Sequence, residues 1–149
     1  MKPAPLAIAL ALACGIAAAQ MTAPGHLPET LRLETTTPMV APGGIAQLDL
    51  SVPASAVGRP VVLFLGLTTG PTTLPGGGSL PIGAPLAPVH VGVAPNRRVA
   101  YAIAVPRAPG LIGTDLYFAA VLPDQLGGVP RRSNPVVVRI GQEDAPLHR

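Results

Sequence analysis

The chain has 149 residues, one cysteine, no tryptophan and a formal charge of +3, so it is long enough to bury a real core and too poor in cysteine for a disulfide scaffold. A pI near 9.8 reflects arginine rather than a basic patch: the cation doublets are Arg97-Arg98 and Arg131-Arg132, and neither has an aromatic neighbour to stack a base. That excludes a nucleic-acid binder of the usual composition, while 17 glycines and 20 prolines raise low complexity as the competing description.

In chain order, the first stretch is MKPAPLAIALALACGIAAAQ, with one cation at Lys2, an apolar run from Leu6 to Ala13 and a small-residue exit at Ala17-Ala18-Ala19. This predicts a secretory signal peptide, residues 1–19, cleaved after Ala19. The run is short for a bilayer span of about 20 residues. A competing reading has Cys14 acylated, which would tether the chain to a membrane; against it, Ala11 stands where lipoprotein signals generally carry leucine. Removing nineteen of 149 residues leaves 130, takes away the only cysteine and the only lysine, and leaves nine arginines against seven carboxylates. Stability must then come from packing, and an exported domain without cysteine suits a bacterium. Asn96 precedes Arg-Arg and Asn134 precedes Pro135, so neither forms a glycosylation sequon. The predicted division is a leader segment at 20–30, one domain at 31–141 and a tail at 142–149.

Periodicity argues against low complexity. Residues 31–36 form a weak first strand candidate. From Ile45 to Val52, Ala46, Leu48, Leu50 and Val52 alternate with Gln47, Asp49 and Ser51, the pattern of a half-buried strand. Residues 61–67, VVLFLGL, are apolar on both faces and read as a central strand. Residues 68–88, with glycines at 76–78, read as a long loop carrying at most a short strand around Leu80–Ile82. Val89, Val91 and Val93 alternate with His90 and Gly92, and Val99, Tyr101, Ile103 and Val105 alternate with alanines; Pro95-Asn96-Arg97 between them predicts a hairpin over 86–105. Residues 116–122 and 136–140 complete the set. Prolines at 53, 60, 95, 106 and 135 fall at strand ends, where a missing N–H costs least. Short strands at near-regular spacing without a helical stripe predict an all-β fold, a single immunoglobulin-like antiparallel β-sandwich of about seven to eight strands.

Before the strand at 116–122 stands Pro106-Arg107-Ala108-Pro109-Gly110-Leu111, with Tyr117 six residues after Leu111. This spacing resembles the tyrosine corner of immunoglobulin-like and fibronectin type III sandwiches, which implies that Leu111 and Tyr117 form a structural corner with the Tyr hydroxyl bonded to backbone. Tyr117, Ala119 and Val121 then point inward; the competing register buries Leu116, Phe118, Ala120 and Leu122. The succession VVLFLGL, GGGSLPIG, AIAVPRAPGLIGTDLYFAAVLPD and RRSNPVVVRIG is similar to small secreted β-sandwich modules of unassigned function from planctomycetes and other environmental bacteria, over roughly residues 43–141. Such modules often carry a Gln near the position of Ala119. The resemblance implies fold and export, and no reaction.

Chemistry is sparse. His26, His90 and His148 lie in the leader, a strand and the tail without ligand spacing, and His90 is expected on the polar face of its strand. Ser79 lacks the following glycine of a nucleophile elbow, and the triple glycine has no Lys-Ser/Thr behind it to make a phosphate loop. Asp115 and Asp124 sit at opposite ends of one extended segment, too far apart for a catalytic pair. No catalytic residue, metal or cofactor is expected. The sequence therefore reads as a secreted, periplasmic or extracellular, non-enzymatic module acting structurally or through envelope or extracellular proteins, with Arg97, Arg98, Arg131 and Arg132 as possible surface contacts. It implies no nucleic-acid partner, and membrane contact only if Cys14 is acylated. The alternatives are a carbohydrate-binding module, weakened by the lack of aromatic platforms, and an acylated envelope lipoprotein of the same fold.

Overall fold

The computed structural model describes residues 30–75 and 77–142. The predicted signal peptide with Cys14, the leader up to Glu29 with His26, and the tail beyond Gln142 with His148 lie outside the described residues. Eleven strands are present among the described residues: β1 (Arg32–Thr35), β2 (Met39–Val40), β3 (Ile45–Ser51), β4 (Pro60–Gly66), β5 (Thr68–Thr73), β6 (Ser79–Gly83), β7 (Ala87–Val93), β8 (Arg98–Ala104), β9 (Asp115–Leu122), β10 (Arg131–Arg132) and β11 (Val136–Ile140). They form a sandwich of one sheet ordered β1-β3-β8 facing a second ordered β2-β11-β9-β4-β7, with β10 also on β9 and β5-β6 as a separate two-stranded sheet. This is an all-β, immunoglobulin-like arrangement. It is not purely antiparallel: Pro38 ends β1's run, and the chain passes to the other sheet, where β2 pairs parallel with β11 and the Pro38 carbonyl accepts from Arg139 N at 2.9 Å.

Alternation produces the core as expected for β3, where Ala46, Leu48 and Leu50 are fully buried. Val61, Leu63 and Leu65 of β4, Val99, Tyr101 and Ile103 of β8, and Val136, Val138 and Ile140 of β11 meet them in one cluster. Each fully buried Leu or Phe contributes about 1.5–3 kcal/mol relative to exposure.

Strand β9 buries both faces, which is why its sequence is apolar throughout. Leu116, Phe118, Ala120 and Leu122 enter the main core. Ala119 and Val121 pack outward under Leu74, Leu80 and Ile82 of the β5–β6 hairpin, with Tyr117, Phe64 and Leu86 alongside. Residues 68–88 are therefore not mainly a loop: the β-branched Thr68, Thr69, Thr72 and Thr73 form a strand that pairs with Ser79–Gly83 and covers the outer face of the sandwich. The tyrosine corner is corrected by the same packing. Leu111 is buried in the main core, whereas Tyr117 stands on the opposite face of β9, half-buried, with no hydrogen bond from its hydroxyl among the described residues. The chain turns between them at Pro109–Leu111 and at Gly113, whose φ of +87° favours glycine, and the turn brings even-numbered β9 residues inward. Tyr117→Phe is accordingly expected to change stability by no more than about 0.5 kcal/mol in urea titration.

The predicted 86–105 hairpin is also overturned. Strand β7 pairs with β4 and β8 pairs with β3, so Pro95-Asn96-Arg97 carries the chain from one sheet to the other instead of folding it back on itself. The reason lies in competing partners. The 94–97 segment is held by Arg59 and Val52, with Ala94 N donating to Arg59 O at 3.1 Å and Val52 N to Arg97 O at 2.8 Å.

Between β10 and β11 the register on β9 shifts by one, and Ser133, Asn134 and Pro135 fill the break. Ser133 Oγ accepts from Ala120 N at 2.8 Å and donates to Asn134 O at 2.8 Å. Asn134 turns to the other sheet, where its Oδ1 accepts from Leu33 N at 2.9 Å and its Nδ2 donates to Leu33 O at 2.8 Å. One side chain thus takes the place of a neighbouring strand on the outer edge of β1.

Candidate functional site

The sheet crossings bring three connections to one end of the sandwich: residues 52–59 between β3 and β4, 94–97 between β7 and β8, and 123–130 after β9. The pairings Ser51 with Arg98, Pro60 with Val93, and Leu122 with Arg131 place them there. Arg97-Arg98 and Arg131-Arg132, remote in sequence, therefore share one end of the molecule, and Arg59 joins them. The Arg59 Nη2 donates to Pro123 O at 2.8 Å and so ties the first connection to the third. Its buried Nε has no hydrogen-bond partner among the described residues.

This end is cationic because its arginines are not neutralised. The two ion pairs among the described residues occupy Arg32 with Glu34 and Arg139 with Asp115. The side chains of Arg97, Arg98 and Arg131 make no hydrogen bond or ion pair among the described residues, and Arg132 donates to the Ser79 carbonyl and hydroxyl oxygens. Asp124 is the carboxylate of the 123–130 connection, and its Oδ1 accepts from Leu126 N at 3.2 Å. Together with Arg59, Arg131, Leu122 and Val129 it lines a polar cleft of about 120 Å³. Large apolar side chains stand among these charges in water: Leu126 is 95% exposed, Val129 69%, Val93 57% and Val57 38%. Arginines around exposed aliphatic groups make a surface suited to a protein contact, where the guanidinium fork meets carboxylates and the apolar groups lose water.

The rest of the molecule offers little chemistry. At the opposite end, a cavity of about 190 Å³ opens between the sheets, lined by Leu65, Ile103, Leu111, Leu116 and Ile140 among others, and Thr114 supplies the single polar side chain in that lining. One hydroxyl cannot form an acid–base pair. Asp115 is held below the ordinary carboxylate range by the hydrogen bonds from Arg139, and Arg139 Nε and Nη2 grip its two oxygens at 2.7 and 2.9 Å. Among the described residues no group of three or more His, Cys, Asp or Glu could hold a metal.

His90 is not on an outward polar face. A register shift opposite Leu63 and Phe64 puts an extra residue into β7, and the bulge turns the imidazole to the inner side, half-buried and 4.9 Å from the Tyr101 ring. Burial pushes the Tyr101 phenol up to about 12. A phenol whose folded pKa lies above its unfolded value of 10.0 contributes stability that is present below pH 10 and is lost as pH rises toward about 12. Alkaline unfolding is expected to begin in that window, and Tyr101→Phe should remove that part of the pH dependence, as followed by circular dichroism.

Of the residues singled out in the sequence, the two doublets meet at one end, Leu111 lies in the core near the other, and Tyr117 lies under the β5–β6 hairpin. Sequence reading passed over Arg59, Leu126 and Val129. The available signal was a pair of large aliphatic residues inside PDQLGGVP, a Gly/Pro-rich connection where no periodic burial accounts for them. Comparison of the chain with protein-family models and with curated proteins finds no match to either.

Proposed function

We propose that the protein is a secreted, non-enzymatic β-sandwich that works as a structural or protein-interaction module of the cell envelope or extracellular matrix, with the arginine-bearing loop end as its contact surface. The observation that carries this reading is the meeting of Arg59, Arg97, Arg98, Arg131 and Arg132 around the exposed Val57, Leu126 and Val129, with Asp124 as the acid in their cleft. The loops at one end of an immunoglobulin-like sandwich are an established place for binding residues, which adds an argument by analogy. A partner with an acidic surface fits this charge. Sugar recognition is less well served: Phe118 and Tyr101 are buried, and Phe64 and Tyr117 are half-buried against the β5–β6 hairpin, so no aromatic face is free for a pyranose ring.

The test is capture of partners from the organism's own envelope by the mature chain, against a variant carrying Arg97→Glu, Arg98→Glu and Arg131→Glu. These side chains are exposed and make no hydrogen bond or ion pair among the described residues, so the variant should keep the parent's stability. Retention of specific proteins by the parent, weakening with salt and lost in the variant, is the expected result. Equal capture by both would move the contact surface elsewhere. A release of reducing sugar or another small product from envelope material would overturn the non-enzymatic reading.

A further inference from the structure

We infer that the outer edge of β7 at Val91 and Val93 is a self-association site, where a second copy of the chain adds its own β7 antiparallel and makes the two large sheets continuous. The inference does not rest on the arginines of the loop end; Val93, the last residue of β7, is the one residue that the two surfaces share.

Strand β7 closes the β2-β11-β9-β4-β7 sheet, and no strand of the described residues pairs with its other side. The ladder to β4 shows which groups face out. Ala94 N bonds to Arg59 O, and Gly92 and His90 stand opposite Val61 and Leu63 in the same phase. Bonding groups alternate along an antiparallel strand, so the N–H and C=O of Val91 and Val93 point away from β4. Pro60, opposite Val93, has no N–H to offer in any case. These two residues also carry exposed side chains, on the outer face beside Val62.

Natural edge strands are usually blocked by charge, proline, shortness or a cap. In this protein the outer edge of β1 is occupied by Asn134, and β2 is two residues long. Strand β8 starts with Arg98 and offers only alanines, Ala100, Ala102 and Ala104, in the outward phase. Strand β7 reads APVHVGV, with no formal charge; Pro88 and the bulge protect its first half and leave His90–Val93 open.

The occupant follows from symmetry and charge. A twofold axis at Gly92 sets each Val91 opposite the other copy's Val93, so both outward-facing pairs exchange backbone hydrogen bonds, and the small Gly92 residues meet on the axis. The four valines then form one apolar strip on the outer face, adjoining Val62 of each copy. Like charge meets like charge nowhere along the strand, and the antiparallel arrangement points the two arginine-bearing ends in opposite directions.

The experiment uses the mature chain in sedimentation velocity from about 1 μM to about 1 mM, with amide hydrogen exchange at both extremes. Association to a dimer is expected, with Val91 and Val93 amides exchanging about tenfold more slowly at high concentration. Val91→Lys places a charge on the strip, and Val93→Pro removes an outward N–H without touching the β4 ladder; each should stay monomeric with an unchanged thermal midpoint. A parent that is monomeric throughout, or a dimer that persists in both variants, overturns the proposal, and neither result bears on capture of envelope proteins by the loop end.

Discussion

Phe118→Ala is expected to cost about 3–5 kcal/mol, the largest loss from any single truncation in this fold. The ring is fully buried and heads the largest completely enclosed side chains. It stands on β9 between Leu65 of β4 and Val136 of β11, so its removal leaves a void walled on two sides by paired backbone that cannot close in. Both facing sheets contribute to the cluster around it. A domain of this size has a total stability of about 5–15 kcal/mol, so the loss is a large fraction of the whole. Urea titration should show a lower midpoint with an unchanged slope. A loss under about 1 kcal/mol, with Tyr117→Phe costing more, would mean that the two faces of β9 had been assigned the wrong way round.

Ser133→Ala is expected to cost about 1–3 kcal/mol, although it removes one oxygen from a short connection. Ser133 is buried, and its hydroxyl is the partner of Ala120 N at the point where the β9 ladder changes from β10 to β11. Without Oγ, that amide lies in the central strand with neither a backbone acceptor nor access to water, and the full cost of stripping it of solvent remains. Asn134→Ala should cost less, about 1 kcal/mol, because Asn134 is exposed and water can reach part of the β1 edge it caps. Hydrogen exchange separates the two: Ser133→Ala should expose Ala120, and Asn134→Ala should expose Leu33. If Ser133→Ala left stability unchanged, an alternative acceptor for Ala120 would have to exist in the bulge.

The placement of most strands was legible because it depends on local pattern, and β5 was missed because its threonines show no apolar alternation. Alternation along Ile45–Val52 and Val136–Ile140 needs only neighbouring residues to show which face is apolar, and the prolines at 53, 60 and 135 mark where ladders can stop. The candidate site was legible only in pieces. Arg97-Arg98 and Arg131-Arg132 stood out as doublets, but nothing near either of them in sequence said that they would meet, or that Arg59 would link their loops through Pro123.

By itself, then, the sequence determined an all-β chain, the positions of most strands though not of β5, and the inward face of strands such as β3 whose other side is polar; on β7 the bulge reversed that face, turning His90 in and Val91 and Val93 out. Tertiary structure alone decided three things. It settled which face of β9 enters the main core, because both faces are apolar and the choice depended on where the β5–β6 hairpin lies. It sent β7 and β8 to different sheets, although Pro95-Asn96 could equally turn a hairpin. It gathered the arginines at one end through the order of the sheet crossings. Side-chain alternation is a short-range property of the backbone, whereas the burial that chooses among pairings acts without direction between any apolar surfaces, so the outcome belongs to the whole set of strands rather than to any segment.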